Sequence, residues 1–211
     1  MVDVALREIV EHQRRLSRQM VALEGPVCAG KTTIAMALAT DGALVVPEYF
    51  DVPGAADRVG VDAPLAGDGL RRLSVLLELE RGRLTQLPAA GLVVLDRSVF
   101  SLLAYEAGLS AMAAPSVLAD ALKAVRAAVD DGAVALPERV IFLDCPAPAC
   151  HERAAAAGMR TPAFHFDPEF RGGFRQLFCR LERVAPGMVP FVDAGRSPVK
   201  VVKQVRDLLT A

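Results

Sequence analysis

The chain has 211 residues, enough for one domain with a sizeable core, and 53% of them are hydrophobic. Its formal net charge of −1, from 24 basic and 25 acidic residues, excludes a broad nucleic-acid surface and leaves basic residues to act locally. No apolar run is long enough for a membrane span, and Asp3, Glu8 and Glu11 stand where a secretion signal would be apolar, so the expected address is cytoplasmic.

Val2, Leu6, Ile9, Leu16 and Met20 recur at helical spacing, which predicts an extra amphipathic helix over residues 2–18 that covers part of the core. Met20 to Leu23 reads as a short buried strand. It runs into Gly25, Pro26, Val27, Cys28, Ala29, Gly30, Lys31, Thr32 and Thr33, which match G-x-x-x-x-G-K-[ST], the Walker A phosphate-binding loop (P-loop). Gly25 and Gly30 allow a tight turn with no Cβ in the way. Successive N–H groups then form an anion nest, and the positive end of the following helix dipole faces the same phosphates. Lys31 is placed to reach the β- and γ-phosphates, and Thr32 to offer its hydroxyl to Mg²⁺. An alanine-rich helical stretch over residues 33–39 completes the strand–loop–helix context that a chance glycine turn would lack.

Ala43 to Pro47 predicts a second strand, ending in Glu48-Tyr49-Phe50-Asp51. Residues 52–69, rich in Gly, Pro and Asp, read as a loop. A long helix is expected from Leu70 to Leu87, and a strand over Gly91 to Leu95 that ends in Asp96-Arg97-Ser98. Helices follow over 99–108 and 116–130, then a strand over Val140 to Asp144 and a helix over Ala147 to Ala157. Gly158 to Pro168 reads as a polar loop. A helix over Pro168 to Val184, a strand over Val189 to Asp193 and a helix over Pro198 to Leu209 close the chain. This alternation predicts an α/β fold with a parallel sheet flanked by helices. Cys28, Cys145, Cys150 and Cys179 include no C-x-x-C pair and read as reduced thiols, mostly buried.

Ligands of such a sheet bind beyond the carboxyl ends of the strands, where the sequence gathers the phosphate loop, Glu48, Asp96, Arg97, Asp144 and Asp193. Asp96 suits a metal site with Thr32, and Arg97 the transferred phosphoryl group or its acceptor, the alternative being a structural Asp-Arg pair that caps the next helix. Glu48 is placed to take a proton from an attacking hydroxyl, the alternative being a solvated loop glutamate. Arg153 and Arg160 suit a lid over the phosphates within about residues 145–167, the alternative being a basic helix surface. One of Arg81 and Arg83 could reach the acceptor. His151 and His165 lack partner ligands at metal spacing and read as neutral and structural.

Assembled in this order, the residues resemble the deoxyribonucleoside kinase and thymidylate kinase group of P-loop kinases. Leu23-Glu24-Gly25 with Ala29-Gly30-Lys31-Thr32 is similar to the nucleoside-kinase opening. Asp96-Arg97-Ser98-Val99-Phe100-Ser101 is similar to that family's Glu-Arg-Ser-Val-Tyr-Ser, and Leu103-Ala104-Tyr105-Glu106 to thymidylate kinase. Leu143-Asp144-Cys145-Pro146 through Glu152-Arg153 resembles the strand leading to the lid, and Phe191 to Ala194 the last strand. The resemblance implies one P-loop kinase domain with five parallel strands and a small lid, ATP and Mg²⁺, and often a homodimer. It also implies Glu48 as base, and Arg97 and Arg153 as phosphate-binding arginines. Glu48, Phe50, Arg81, Arg97 and Tyr105 are the candidate acceptor-binding residues.

Three departures concern the acceptor. Leu102 stands where nucleoside kinases carry a base-reading acid, Ser74 stands near the expected glutamine, and Glu106 replaces the thymidylate-kinase glutamine. The expected activity is therefore ATP-dependent phosphoryl transfer to a hydroxyl of a nucleoside or nucleoside-like metabolite. A nucleoside monophosphate kinase, a specialised-metabolism or antibiotic phosphotransferase, and a non-enzymatic nucleotide-binding regulator are the alternatives.

Overall fold

The computed structural model describes residues 1–13, 20–59, 68–85, 87 and 91–210. Helix α1 (Val2–Gln13) leads to strand β1 (Met20–Glu24) and, after the phosphate loop, to α2 (Lys31–Thr40). Strand β2 (Leu44–Val46) is followed by a 3₁₀ turn over Tyr49–Asp51, a short α3 (Ala55–Val59) and the long α4 (Gly69–Leu84). Then come β3 (Val93–Asp96), α5 (Val99–Ala111), α6 (Leu118–Asp130), β4 (Arg139–Asp144) and α7 (Ala147–Ala156). A second 3₁₀ turn, Ala163–Phe166, precedes α8 (Pro168–Val184), β5 (Phe191–Asp193) and α9 (Pro198–Thr210). Residues 14–18 of the expected first helix and 60–67 of the expected loop lie outside the described residues.

The five strands pair in parallel in the order β2-β3-β1-β4-β5. Their apolar runs are continuous because both faces are covered. Met20 and Ala22 of β1, Val93 and Leu95 of β3, and Val140 and Phe142 of β4 face one core layer with α1, α4, α5, α6 and α8. Val21, Leu23, Val94, Ile141 and Leu143 face the other, with α2, α7 and α9. The period of two along each strand produces this sorting. It also turns Asp96, two residues past Val94, toward the α2 side.

Two glycines are dictated by close approach. Gly25 has φ +138°, and a Cβ there would meet the Leu143 carbonyl oxygen at 2.6 Å. Gly173 lets α8 close on α5, since a Cβ would meet the Ala107 carbonyl oxygen at 2.5 Å. Two sequence expectations need correction. Ala55–Val59 forms a helix within the expected loop, where a short alanine-containing segment buries Ala55 and Val59. The 158–168 stretch is not a plain polar loop, for Phe164 and His165 fold back onto Tyr105 and Phe170. No described helix is long and apolar enough to cross a membrane.

Candidate active site

A cavity of about 960 Å³ opens at the carboxyl edge of the sheet, lined by the phosphate loop from Pro26 to Thr33 together with Glu48, Arg97, Arg153 and Tyr105. Its size lies at the upper end of small-molecule sites. The loop turns because Gly25 and Gly30 adopt positive φ, and α2 begins at Lys31 with its free N–H groups aimed into the cavity's loop wall. Lys31 is 5% exposed, and its ammonium donates to the carbonyls of Gly25 at 3.2 Å and Pro26 at 2.9 Å. Burial, reinforced by Arg97, lowers the Lys31 ammonium to about 8, against the opposing pull of Glu48, Asp96 and Glu24.

That value sets a pH dependence. The folded pKa lies below the free-lysine value, so Lys31 loses its proton as pH rises through about 8. Phosphate oxygens favour the charged form, so nucleotide affinity is expected to fall above about pH 8, by up to about tenfold per pH unit. Titrating ATP between pH 7 and 9.5, with Lys31→Ala as the control that lacks this dependence, checks the expectation.

Thr32 Oγ donates to Asp96 Oδ2 at 2.6 Å. Asp96 is 1% exposed, and its Oδ1 is buried with no hydrogen-bond partner among the described residues. A buried carboxylate oxygen without a donor suits a divalent cation, and the hydroxyl–carboxylate set is the oxygen chemistry Mg²⁺ prefers. Among the described residues no group of three or more His, Cys, Asp or Glu could hold a metal. A Mg²⁺ here would therefore take its remaining oxygens from phosphates and water.

Glu48, at the N-terminal end of the 3₁₀ turn after β2, accepts from Arg97 Nε at 2.8 Å. Burial alone would raise the Glu48 carboxyl, but Arg97 and Lys31 outweigh it and the net direction is down. Arg97 also reaches the Gly25 carbonyl and Ser101 Oγ, both at 3.4 Å. Its φ of +67° is left-handed, a conformation that costs a non-glycine residue on the order of 1 kcal/mol and concentrates at functional sites.

Behind this pair lies Glu24, which the sequence reading quoted only as part of the opening motif. It is fully buried and accepts from Ser98 N at 2.8 Å, Ser98 Oγ at 2.7 Å and the Ser101 hydroxyl. Burial raises its carboxyl, with Arg97 opposing. Ser98 Oγ in turn accepts from Phe100 N and caps α5, so Glu24 orients the turn that carries Arg97. The signal for Glu24 was an acid on the last residue of an otherwise apolar strand.

Arg153 is not a free lid arm. Its guanidinium donates to the carbonyls of Ala29 at 3.2 Å, Cys28 at 3.5 Å and Ala194 at 2.9 Å, tying the phosphate loop to the turn after β5. It lies on α7, a regular helix packed on the sheet, which explains why it points inward. Arg160, beyond that helix, is exposed and lines the cavity. Arg81 is corrected outright. It is exposed and absent from the cavity wall, because it lies about two and a half helical turns from Arg72, on the opposite face of α4. Arg72 takes the inward position.

Phe50, 43% exposed, and Tyr105 both line the cavity. Tyr105 packs edge-on against Phe170 at 5.6 Å and Phe164 at 6.1 Å, and burial raises its hydroxyl to about 12. Arg72 lies over the Tyr105 ring at 5.2 Å and donates to Glu106 Oε1 at 2.9 Å. Glu106 is held by Val117 N at 2.8 Å. Leu102 lines the cavity as an apolar residue, whereas Ser74 bonds the Leu70 carbonyl on the exposed side of α4. His165 joins the aromatic wall, and burial with Arg97 and Lys31 nearby lowers it to about 4, so it is neutral at physiological pH. His151 is exposed and meets Phe166 edge-on. Asp144 and Asp193 pair with Arg175 and Arg196. All four cysteines are free thiols, and Cys28 of the loop lines the cavity.

The fold matches that of solved P-loop kinases. Deoxyadenosine kinase from M. mycoides with bound dATP superposes with a TM-score of 0.70 at 14% identity, covering 91% of this chain and 100% of that one. The same enzyme with the products dCMP and a flexible dCDP gives a TM-score of 0.69 at 14% identity, over 90% and 98% of the chains. Its complex with dCTP gives 0.69 at 13% identity, over the same shares. No curated protein matches the chain in sequence. Residues 20–169 match the AAA domain family, a span of more than half the chain that takes in the phosphate loop, Glu48, Asp96, Arg97 and Arg153. This chain belongs to the AAA domain family.

Proposed function

We propose that the protein is an ATP- and Mg²⁺-dependent phosphotransferase that acts on a hydroxyl of a nucleoside or nucleoside-like small molecule. The observation that carries this reading is the Glu48–Arg97 pair, 2.8 Å apart and set in the same cavity as Lys31 and Thr32, whose hydroxyl bonds the buried Asp96. A base, a cation for the transferred group and a phosphate loop in one cleft are what hydroxyl phosphorylation requires. Lys31 and the loop N–H groups hold the donor phosphates. Thr32 and Asp96 would hold Mg²⁺, which would supply positive charge against the phosphate oxygens. Glu48, ionised because Arg97 and Lys31 hold its carboxyl low, receives the hydroxyl proton at its carboxylate. The aromatic wall of Tyr105, Phe170 and His165 seats a planar, apolar ring and excludes water. Both arginines on the acceptor side, Arg72 and Arg97, already carry carboxylate partners, which favours an uncharged acceptor over a monophosphate. The solved neighbours add that this fold accommodates deoxynucleotides.

The test is ATP consumption in the presence of deoxyadenosine, deoxycytidine and their monophosphates. Stimulation by a nucleoside supports the reading; stimulation by the monophosphates alone replaces it with nucleotide phosphorylation. Asp96→Asn is expected to raise the Mg²⁺ needed for half-maximal turnover by about tenfold or more, the scale seen when a metal site loses a supporting anion. ATP affinity should change less, since the loop nest remains. An unchanged Mg²⁺ titration would remove Asp96 from the metal site.

A further inference from the structure

Arg83 was expected to rival Arg81 for the acceptor. It reaches neither the cavity nor solvent, and its side chain is 2% exposed. Its Nη1 pairs with Glu80 Oε2 at 2.7 Å, and the Glu80 side chain is fully buried. Its Nη2 donates to the carbonyl oxygens of Asp96 at 3.0 Å and Arg97 at 3.1 Å. Its guanidinium lies over the Tyr49 ring, 4.3 Å from the centroid. Tyr49 is the residue after Glu48. One guanidinium therefore spans α4, the end of β3 and the turn after β2.

We propose that Arg83, held by Glu80 and seated on Tyr49, is a positioning residue that locks Arg97 against Glu48. Three features argue for geometry over stability. Arg83 Nε is buried with no hydrogen-bond partner among the described residues, and burial raises the Glu80 carboxyl against the opposing pull of Arg83. A buried ion pair with an unsatisfied atom is a poor stabiliser, and well-packed apolar residues often do better in its place. The bonds that are made fall on the two carbonyls flanking the Arg97 peptide, where the backbone adopts φ +67°. A left-handed arginine persists only where its surroundings over-determine it, and two charge-assisted bonds from one planar group do so. On the other side, the Tyr49 ring under the same guanidinium fixes the turn that presents Glu48.

The role in catalysis rests on the phosphotransfer reading, but the test does not use turnover. In ligand-free protein, the Glu48 carboxyl is titrated by ¹³C NMR, its signal assigned by its loss in Glu48→Gln. The variants are Arg83→Met, Arg83→Lys and the double variant Glu80→Gln with Arg83→Met, which leaves no unpaired charge in the core if the single variant does not fold. Arg83 also lowers the Glu48 carboxyl by its own charge, so the deciding variant is the double one, in which loss of the Glu80 charge offsets that pull. The expected result there is a Glu48 midpoint about one pH unit higher, since Arg97 no longer sits against it, while Arg83→Lys shifts it less than Arg83→Met. A folded double variant with a lower melting temperature and an unchanged Glu48 midpoint would overturn the proposal and make Arg83 a core residue only.

Discussion

Replacing Lys31 by alanine is expected to lower turnover by at least about 10²-fold and to leave the fold intact. The ammonium sits at the first turn of α2, 5% exposed, and among the described residues its hydrogen-bond partners are two backbone carbonyls. Burial already disfavours its charge there, as its lowered pKa of about 8 records. Removing it therefore relieves a buried cation without opening the apolar core, and the melting temperature should change little. The catalytic loss is of a different size. A cation aimed at phosphate oxygens in a water-poor site contributes roughly 3 kcal/mol in the transition state, or more than two decades in rate. Steady-state turnover beside a thermal melt checks both halves of the expectation. Near-normal turnover would remove the phosphotransferase reading.

Glu48→Gln keeps the shape of the side chain and removes its basic oxygen. With a hydroxyl acceptor, the maximal rate should fall by about 10²-fold or more, the usual scale of general-base catalysis. The Michaelis constants should move much less, because the proton is transferred only in the chemical step. The pH profile gives an independent check. Arg97 and Lys31 hold the Glu48 carboxyl low despite its burial. The acid limb of the wild-type profile should therefore lie below the ordinary glutamate range, and it should vanish in the glutamine variant. A small change in maximal rate would mean that the acceptor oxygen needs no base, as in a monophosphate acceptor. Arg81→Ala should have little effect in either case, since Arg81 is exposed and away from the cavity.

What the sequence disclosed and what it hid divide along a physical line. The phosphate loop, Asp96 and Glu48 were legible because each lies at the end of a short apolar run. A parallel sheet places all such ends at one edge. The alternation that buries Val94 toward α2 carries Asp96 to Thr32 as well. The register of helices was harder. On α4 the residues Arg71, Arg72, Arg81 and Arg83 look alike in sequence, yet the packing turns Arg72 to the cavity, Arg83 into the core and Arg81 to water. No local signal ranks them. Arg153 was legible as a basic residue close to the phosphate loop but not as a tie, because its partners are backbone carbonyls distant in the chain. Glu24 and Glu106 were likewise hidden. Each is a buried carboxylate whose donors come from another element or from past a helix end, so its role exists only in the folded chain.

The most direct measurement is the fate of a labelled γ-phosphate. The protein is incubated with γ-³²P-ATP, Mg²⁺ and either deoxyadenosine or deoxycytidine, and the products are separated. The account predicts that the label passes to the nucleoside as its monophosphate, that transfer needs Mg²⁺, and that it is lost in Lys31→Ala and Glu48→Gln. Label that stays on ATP or leaves only as inorganic phosphate, with tight ATP binding retained, would contradict it and mark the protein as a nucleotide-binding regulator.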